Sequence, residues 1–266
     1  MIESAYIDIH PYARLFFNAI KNNGGHDILS YEKRAVNRLV QDLITFNLFN
    51  KMIAFYPYVG RNATSHSFNL INPGLWQITW SGTVTHNENG VQSNGSSGFG
   101  NTGIPILNFS QFNISIGSYR RSIGTNAASL YPDWGSSYTP TGNTDRFFIG
   151  SNSTDTTNQN GVLGFGAHGA GSTTQGSLTG TGFKAFSVVG NGTSDLTCIN
   201  NGAITFTGSG NQTWQAAGFL KLLSCSTFFG TQNIALQYVS TGLTNAESVY
   251  LYNIIRIFQE NLNRAV

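Results

Sequence analysis

Hydrophobic positions in this chain follow two periods. From Ser30 to Met52 they recur every three or four residues: Val36, Leu39, Val40, Leu43, Phe46 and Met52 form one stripe, which Glu32, Arg34, Arg38 and Asp42 mostly avoid. That spacing predicts an amphipathic helix capped by Ser30, with a stripe that a sheet or another subunit must cover. From Phe55 the period shifts toward two. Trp76–Val84 alternates apolar and polar residues, as a half-buried strand does. Ile104–Leu107, Phe112–Tyr119, Arg146–Ile149, Lys184–Val189, Leu196–Ile199 and Ala203–Phe206 repeat the pattern, and Phe228–Val239 reads as a last strand pair. Gly- and Asn-rich turns separate them, as at Asn94-Gly95, Gly190-Asn191-Gly192 and Asn200-Asn201-Gly202. The helical period then returns. Thr244 caps a helix with Glu247 at the capping-box position, and Leu251, Ile254, Ile255, Phe258 and Leu262 form its buried stripe. Arg256 and Glu260, four apart, belong to its exposed face. Ahead of these elements, Met1 to Asn23 reads as an arm with a short helical piece around Ala13–Ile20, broken by Gly24 and Gly25. Ser151–Gly182 reads as long exposed loops, either of the kind that carry binding or mere surface filler. Many short strands without alternating helices point to a sandwich or barrel, not an α/β fold.

The two ends carry a resemblance. The helix Val36–Met52 followed by Tyr56, Pro57, Val59 and Gly60 is similar to the pattern V-x-D-L…W-x-K-M-x-A-I-Y-P-F-V-G. His66, Phe68, Asn69, Leu70 and Pro73 are similar to H-K-F-N-L-x-x-P, and Gly242, Leu243, Thr244, Ala246 and Glu247 to D-G-L-T-D-A-E-A. All three patterns belong to tailed-bacteriophage virion proteins built on a concanavalin A-like lectin/glucanase domain, and the chain resembles that family at its ends and, more loosely, in its C-terminal third. The resemblance implies a concanavalin A-like antiparallel β-sandwich, or jelly roll, with an N-terminal helical arm and a C-terminal docking helix. Residues 1–54 would be the arm and amphipathic helix; residues 55–266 would be the sandwich, including the helix at 244–264. The implied role is a non-enzymatic structural protein on the head or tail surface of the phage particle. Contacts with other virion proteins would hold it, as a homo-oligomer and as a trimer in a fibre or knob. Val36, Leu39, Leu43, Phe46 and Met52 would form the assembly stripe. The alternative is an adhesin that recognises a host surface glycan, and a further one is a polysaccharide depolymerase.

Composition narrows the setting. The 266 residues are 40% hydrophobic and 13% aromatic, ample for a core, but only 10% charged, against about a quarter in an ordinary globular chain. Solubility therefore rests on Asn, Ser, Thr and Gly, as in extracellular or particle-exposed β-proteins. A net charge of +2 gives no basic stripe for nucleic acid. Met1 to Ile20 contains Glu3 and Asp8 and lacks the basic and apolar regions of a secretory signal. No apolar run is long enough to span a membrane, so export by lysis or within a particle is expected. Cys198 and Cys225 form no disulfide framework, and their pairing is open.

Candidate chemistry is sparse. Hydrolysis of a glycoside needs two carboxylates about 5 to 10 Å apart. Glucanases of this sandwich class set them on one strand face as E-x-D-x-E, and no such run occurs here. Glu88, Asp133, Asp145, Asp155 and Asp195 stand isolated in the β-body. His10, His26, His66, His86 and His168 show no metal-ligand spacing, and no acidic cluster suits calcium, so neither a metal nor a cofactor is expected. Gly164-x-Gly166-x-x-Gly169 has no helix after it, which removes the dinucleotide reading. No G-x-S-x-G elbow appears. The remaining candidate is Trp134, flanked by Tyr131, Asp133 and Tyr138, as a platform for a sugar ring; the competing reading has Trp134 anchoring its own loop to the core. Trp76, Trp80 and Trp214 read as core residues.

Overall fold

The computed structural model describes residues 8–106, 113–124, 131–137, 146–151, 161–166, 173–175, 180–208, 218–225 and 228–266. The helices are α1 (Pro11–Asn22), α2 (Ser30–Thr45), α3 (Ala63–His66) and α4 (Asn245–Asn261), with a 3₁₀ turn at Phe49–Lys51. The strands run in chain order as β1 (Met52–Tyr56), β2 (Thr79–Ser81), β3 (Val84–Asn87), β4 (Gly90–Ser93), β5 (Phe99–Pro105), β6 (Asn113–Arg120), β7 (Tyr131–Ser137), β8 (Arg146–Ser151) and β9 (Gly161–Gly166). They continue as β10 (Thr173–Gln175), β11 (Gly182–Val189), β12 (Leu196–Asn200), β13 (Ala203–Gly208), β14 (Phe219–Leu222), β15 (Ser224–Cys225), β16 (Phe228–Phe229) and β17 (Asn233–Ser240).

Two antiparallel sheets form the sandwich. The first has the order β13-β12-β11-β6-β17-β4-β3, and β1 pairs with β17 beyond β4, so β4 and β1 share one edge of that strand end to end. The second has the order β10-β9-β8-β7-β14-β5-β2. The hairpin β15–β16 lies on its outer side, where a Cβ on Gly135 would meet the Cys225 Cβ at 2.5 Å. The fold class is thus the expected concanavalin A-like antiparallel sandwich.

Strand alternation sorts the side chains into two cores. Ile114 and Ile116 of β6 and Phe186 and Val188 of β11 face the second sheet, where Trp134, Leu220 and Leu222 meet them. Tyr119, Phe183, Ala185 and Tyr238 face the other way, onto Phe16 of α1, Leu39 and Leu43 of α2, and Leu251, Ile255 and Phe258 of α4. The order of layers is therefore helices, first sheet, second sheet.

Four expectations need correction. The helical stripe does not run to Met52: α2 ends at Thr45, Asn47 takes a φ of +57°, and Met52 opens β1 opposite Ser240. Ser30 is the first helical residue, not the cap. Leu29 holds that position, and the buried Glu32 reaches back to accept from its amide at 2.9 Å. The half-buried strand Trp76–Val84 is interrupted: β2 belongs to the second sheet and β3 to the first, and the chain crosses at Gly82. There φ is +63° and a Cβ would lie 2.0 Å from the Ser97 carbonyl oxygen, so only glycine fits. The proposed division at 54/55 falls inside β1, and α1 and α2 cover the first sheet, so residues 1–54 are an integral layer and not a separable arm. α4 follows the expectation: Thr244 Oγ1 accepts from the Glu247 amide at 3.3 Å while Glu247 accepts from the Thr244 amide at 2.9 Å.

The residues of the resemblance do structural work. Asn69 extends the edge of β1 by accepting from the Phe55 and Ile71 amides, each at 3.0 Å, and donating to the Ile53 carbonyl at 3.2 Å. Beyond α4, the buried Arg264 donates to the carbonyls of Pro57 at 3.1 Å and Tyr58 at 2.9 Å, joining the C-terminal segment to the Tyr-Pro-Tyr-Val-Gly turn.

Candidate functional site

Trp134 is not a sugar platform. It is fully buried between the sheets, its Nε1–H donating to the Gly117 carbonyl at 3.0 Å. Asp133 is buried beside it and accepts from Ser118 Oγ (2.6 Å), Arg120 Nε (2.7 Å) and Gln232 Nε2 (2.6 Å). Consecutive strand residues normally face opposite sides, but a bulge between Pro132 and Trp134 turns both inward. Tyr131 lies on the same strand, and Tyr138 lies outside the described residues. Most of Ser151–Gly182 also lies outside them, although β9 and β10 fall within that span.

The assembly stripe is likewise occupied. Val36, Leu39 and Leu43 are buried in the core shared with α4 and the first sheet. Met52 is buried in β1, while Phe46, 43% exposed, packs its ring on Tyr250 of α4 at 5.1 Å. This chain covers its own stripe, so none of those apolar residues except Phe46 is presented to another subunit.

A cavity of about 350 Å³ opens where α4 crosses the end of the first sheet. Tyr119 of β6, Asn201 of the β12–β13 turn, Tyr252, Arg256 and Glu260 of α4, and Val266 line it. The helical residues are spaced by four and so share one face of α4. Tyr252 packs on Phe183 at 6.0 Å between ring centroids and against the turn at Gly202, where a Cβ would come within 2.5 Å of the tyrosine ring. Asn201 takes a φ of +49° and is pinned there: Oδ1 accepts from the Phe183 amide at 2.7 Å, and Nδ2 donates to the Thr181 carbonyl at 3.2 Å. Arg256 and Glu260 form an ion pair, both side chains partly exposed at the rim. The Tyr119 hydroxyl accepts from the Val266 amide at 3.1 Å, and burial raises its pKa. The cavity thus offers the Tyr252 ring, with the buried Tyr119 behind it, an ordered amide and a paired cation and anion. Among the described residues, Glu260 is its one lining side-chain carboxylate. Sequence reasoning placed Arg256 and Glu260 on an exposed helix face; what it lacked was the neighbour across the gap.

A second polar cluster lies under the β3–β4 hairpin. His66 Nδ1 and His86 Nδ1 are 3.2 Å apart, so one ring donates and the other accepts. The Trp80 ring meets His86 edge-on at 4.7 Å, and Tyr58 packs on His66 at 5.5 Å. Burial, with His86 and Arg264 adding to it, holds His66 well below the usual histidine range, and burial pushes His86 down to about 4. Both rings are therefore neutral near pH 7. Burial also lowers the Arg264 guanidinium to about 9. Among the described residues no three of His, Cys, Asp and Glu converge as a metal site. Cys198 and Cys225 are both buried and are not joined to each other by a disulfide. No described helix is long and apolar enough to cross a membrane.

No protein-family profile matches the chain, and no curated protein matches it significantly. Among solved structures it is similar to Trypanosoma rangeli sialidase in complex with sialic acid, at 9% identity and a TM-score of 0.55, over 85% of this chain and 39% of that one. It is also similar to HCR/D-Sa-GBL1/C, at 13% identity and a TM-score of 0.50, over 77% of this chain and 52% of that one. A third is domain 4 of AbnA, a GH43 extracellular arabinanase from Geobacillus stearothermophilus, in complex with arabinotriose: 16% identity and a TM-score of 0.49, over 76% of this chain and 98% of that one. The first two share the sandwich fold with this chain, which spans about half of their length or less.

Proposed function

We propose that this chain is a non-enzymatic carbohydrate-binding module that takes a saccharide unit into the cavity beside α4. The observation that carries this is the lining itself: the half-buried Tyr252 presents aromatic surface, backed by the buried Tyr119, next to Asn201 and the Arg256–Glu260 pair, in a space of about 350 Å³. A sugar ring has an apolar C–H face and a rim of hydroxyls, and it is recognised where aromatic walls stand beside a few fixed donors and acceptors. Binding, not cleavage, suits a cavity with one lining side-chain carboxylate among the described residues, because glycoside hydrolysis ordinarily uses two. A fold shared with a sialidase fits the same reading only as analogy. The test is a glycan array followed by calorimetry. A sugar that binds saturably should lose about tenfold or more in affinity, roughly 1.4 kcal/mol, in Tyr252→Ala and in Arg256→Ala. No binder on the array, or a binder indifferent to both variants, overturns the site. Release of reducing ends from the bound glycan would replace the module with a depolymerase.

We further propose that the module is carried on the surface of a tailed-phage particle. The support is the residue pattern of the resemblance at both ends of the chain, from Tyr56-Pro57 to Gly242-Leu243-Thr244. Anchoring to other virion proteins would have to use surface outside the α2 stripe, which is already covered. Immunogold labelling tests the setting: gold on intact or disrupted particles supports it, and its absence from both refutes it.

A further inference from the structure

β11 and β12 place Lys184 directly opposite Asn200 in the antiparallel register, on the same face as the neighbouring pair Phe186 and Cys198, which is turned toward the second sheet. Lys184 is fully buried. Its Nζ donates to the Thr181 carbonyl at 2.7 Å and to Asn200 Oδ1. An amine held on an amide oxygen stands next to the amide carbon, one bond further in. The carboxylate of this interior, Asp133, is engaged by Arg120, Ser118 and Gln232.

We propose that Lys184 and Asn200 condense into an intramolecular isopeptide bond that clamps β11 to β12. The Nζ lone pair attacks Asn200 Cγ. The Nζ–Cγ bond forms, the Cγ–Nδ2 bond breaks, and one Nζ proton passes to the departing nitrogen, which leaves as ammonia. The other Nζ proton remains on the new secondary amide, so the step needs no oxidant and no co-reactant. Two conditions favour it. Attack requires the neutral amine, and burial, reinforced by Arg120, brings the Lys184 ammonium down to about 7, with Asp133 acting in the opposite sense. Lys184 is also held in place: its strand is paired to β6, where its partner Ser118 donates through Oγ to Asp133 Oδ2 at 2.6 Å. The product also replaces a buried amine with an amide, removing the charge from the interior. This cross-link stands independently of any saccharide site.

The test is the intact mass of the full chain. The expected mass is one ammonia below that of the sequence, and Lys184→Met and Asn200→Ala each restore the full value. Asp195 lies between the two residues. Denatured protein cut on the amino side of Asp195 should therefore keep the Lys184 and Asn200 segments joined in one product. Full mass in the unmodified chain overturns the proposal. So does a lowered mass whose two segments separate, since a succinimide at Asn201-Gly202 would lose ammonia without joining strands. The measurement on the unmodified chain decides the matter even where a variant fails to fold.

Discussion

Replacing Asp133 with Asn tests the polar interior most directly. Asp133 Oδ2 accepts from Arg120 Nε at 2.7 Å and Ser118 Oγ at 2.6 Å, and Oδ1 accepts from Gln232 Nε2 at 2.6 Å. The ion pair is dry, with side-chain exposures of 1% for Arg120 and 0% for Asp133. Asp133→Asn keeps the shape but removes the charge and turns one acceptor into a donor. It leaves a guanidinium buried without its counter-charge, and breaking a buried pair in this way costs about 3–5 kcal/mol. At roughly 2–4 °C per kcal/mol for a chain near this size, the midpoint of thermal unfolding should fall by on the order of 10 °C. Guanidinium unfolding followed by far-ultraviolet circular dichroism gives the free energy, with the slope against denaturant unchanged if only stability moved. The double variant Arg120→Met, Asp133→Leu removes both charges and should cost less than Asp133→Asn alone. A single-variant loss below about 1 kcal/mol, or a double variant worse than the single, would refute the claim that uncompensated charge sets the energetics here.

Leu43→Ala, at a site with no exposure in the core between α2 and α4, should cost about 2–5 kcal/mol in denaturant unfolding. It should also leave the solution mass by light scattering unchanged, because the stripe is buried within one chain; dissociation of an assembly would contradict that. His86 titrates near 4 in the fold, against 6.5 unperturbed. The unfolded chain therefore takes up its proton first, and stability falls as pH drops from about 6.5 through about 4. Glu247, whose pKa is lowered although desolvation alone would raise it, because Lys51 and Thr244 hold its carboxylate, adds a loss of the same sign at acid pH. His86→Gln should remove the His86 share of the histidine loss between pH 4 and 6.5 and leave that of His66, which is also held below its usual range; an unchanged slope would show that His86 does not contribute to it.

Periodicity and capping chemistry alone determined much of this fold. The stripes of α2 and α4, the Thr244–Glu247 cap and the alternation in β6, β11 and β12 are local properties, set by side-chain direction within each element. They suffice to assign helices, strands and a sandwich. They state which face of an element is apolar, but not what covers it. Tertiary structure alone decided that α4 and the first sheet cover α2, which removed the assembly stripe from the surface. It also split Trp76–Val84 between two sheets at Gly82, and used a bulge to bury Asp133 and Trp134 on one side. The cavity has the same origin. Tyr119, Asn201 and Tyr252 lie far apart in sequence, and no local pattern records that the β12–β13 turn meets the exposed face of α4. Lys184 and Asn200, too, are ordinary residues of separate strands until register sets them opposite one another, because strand pairing is a long-range choice that the chain makes only when its layers close.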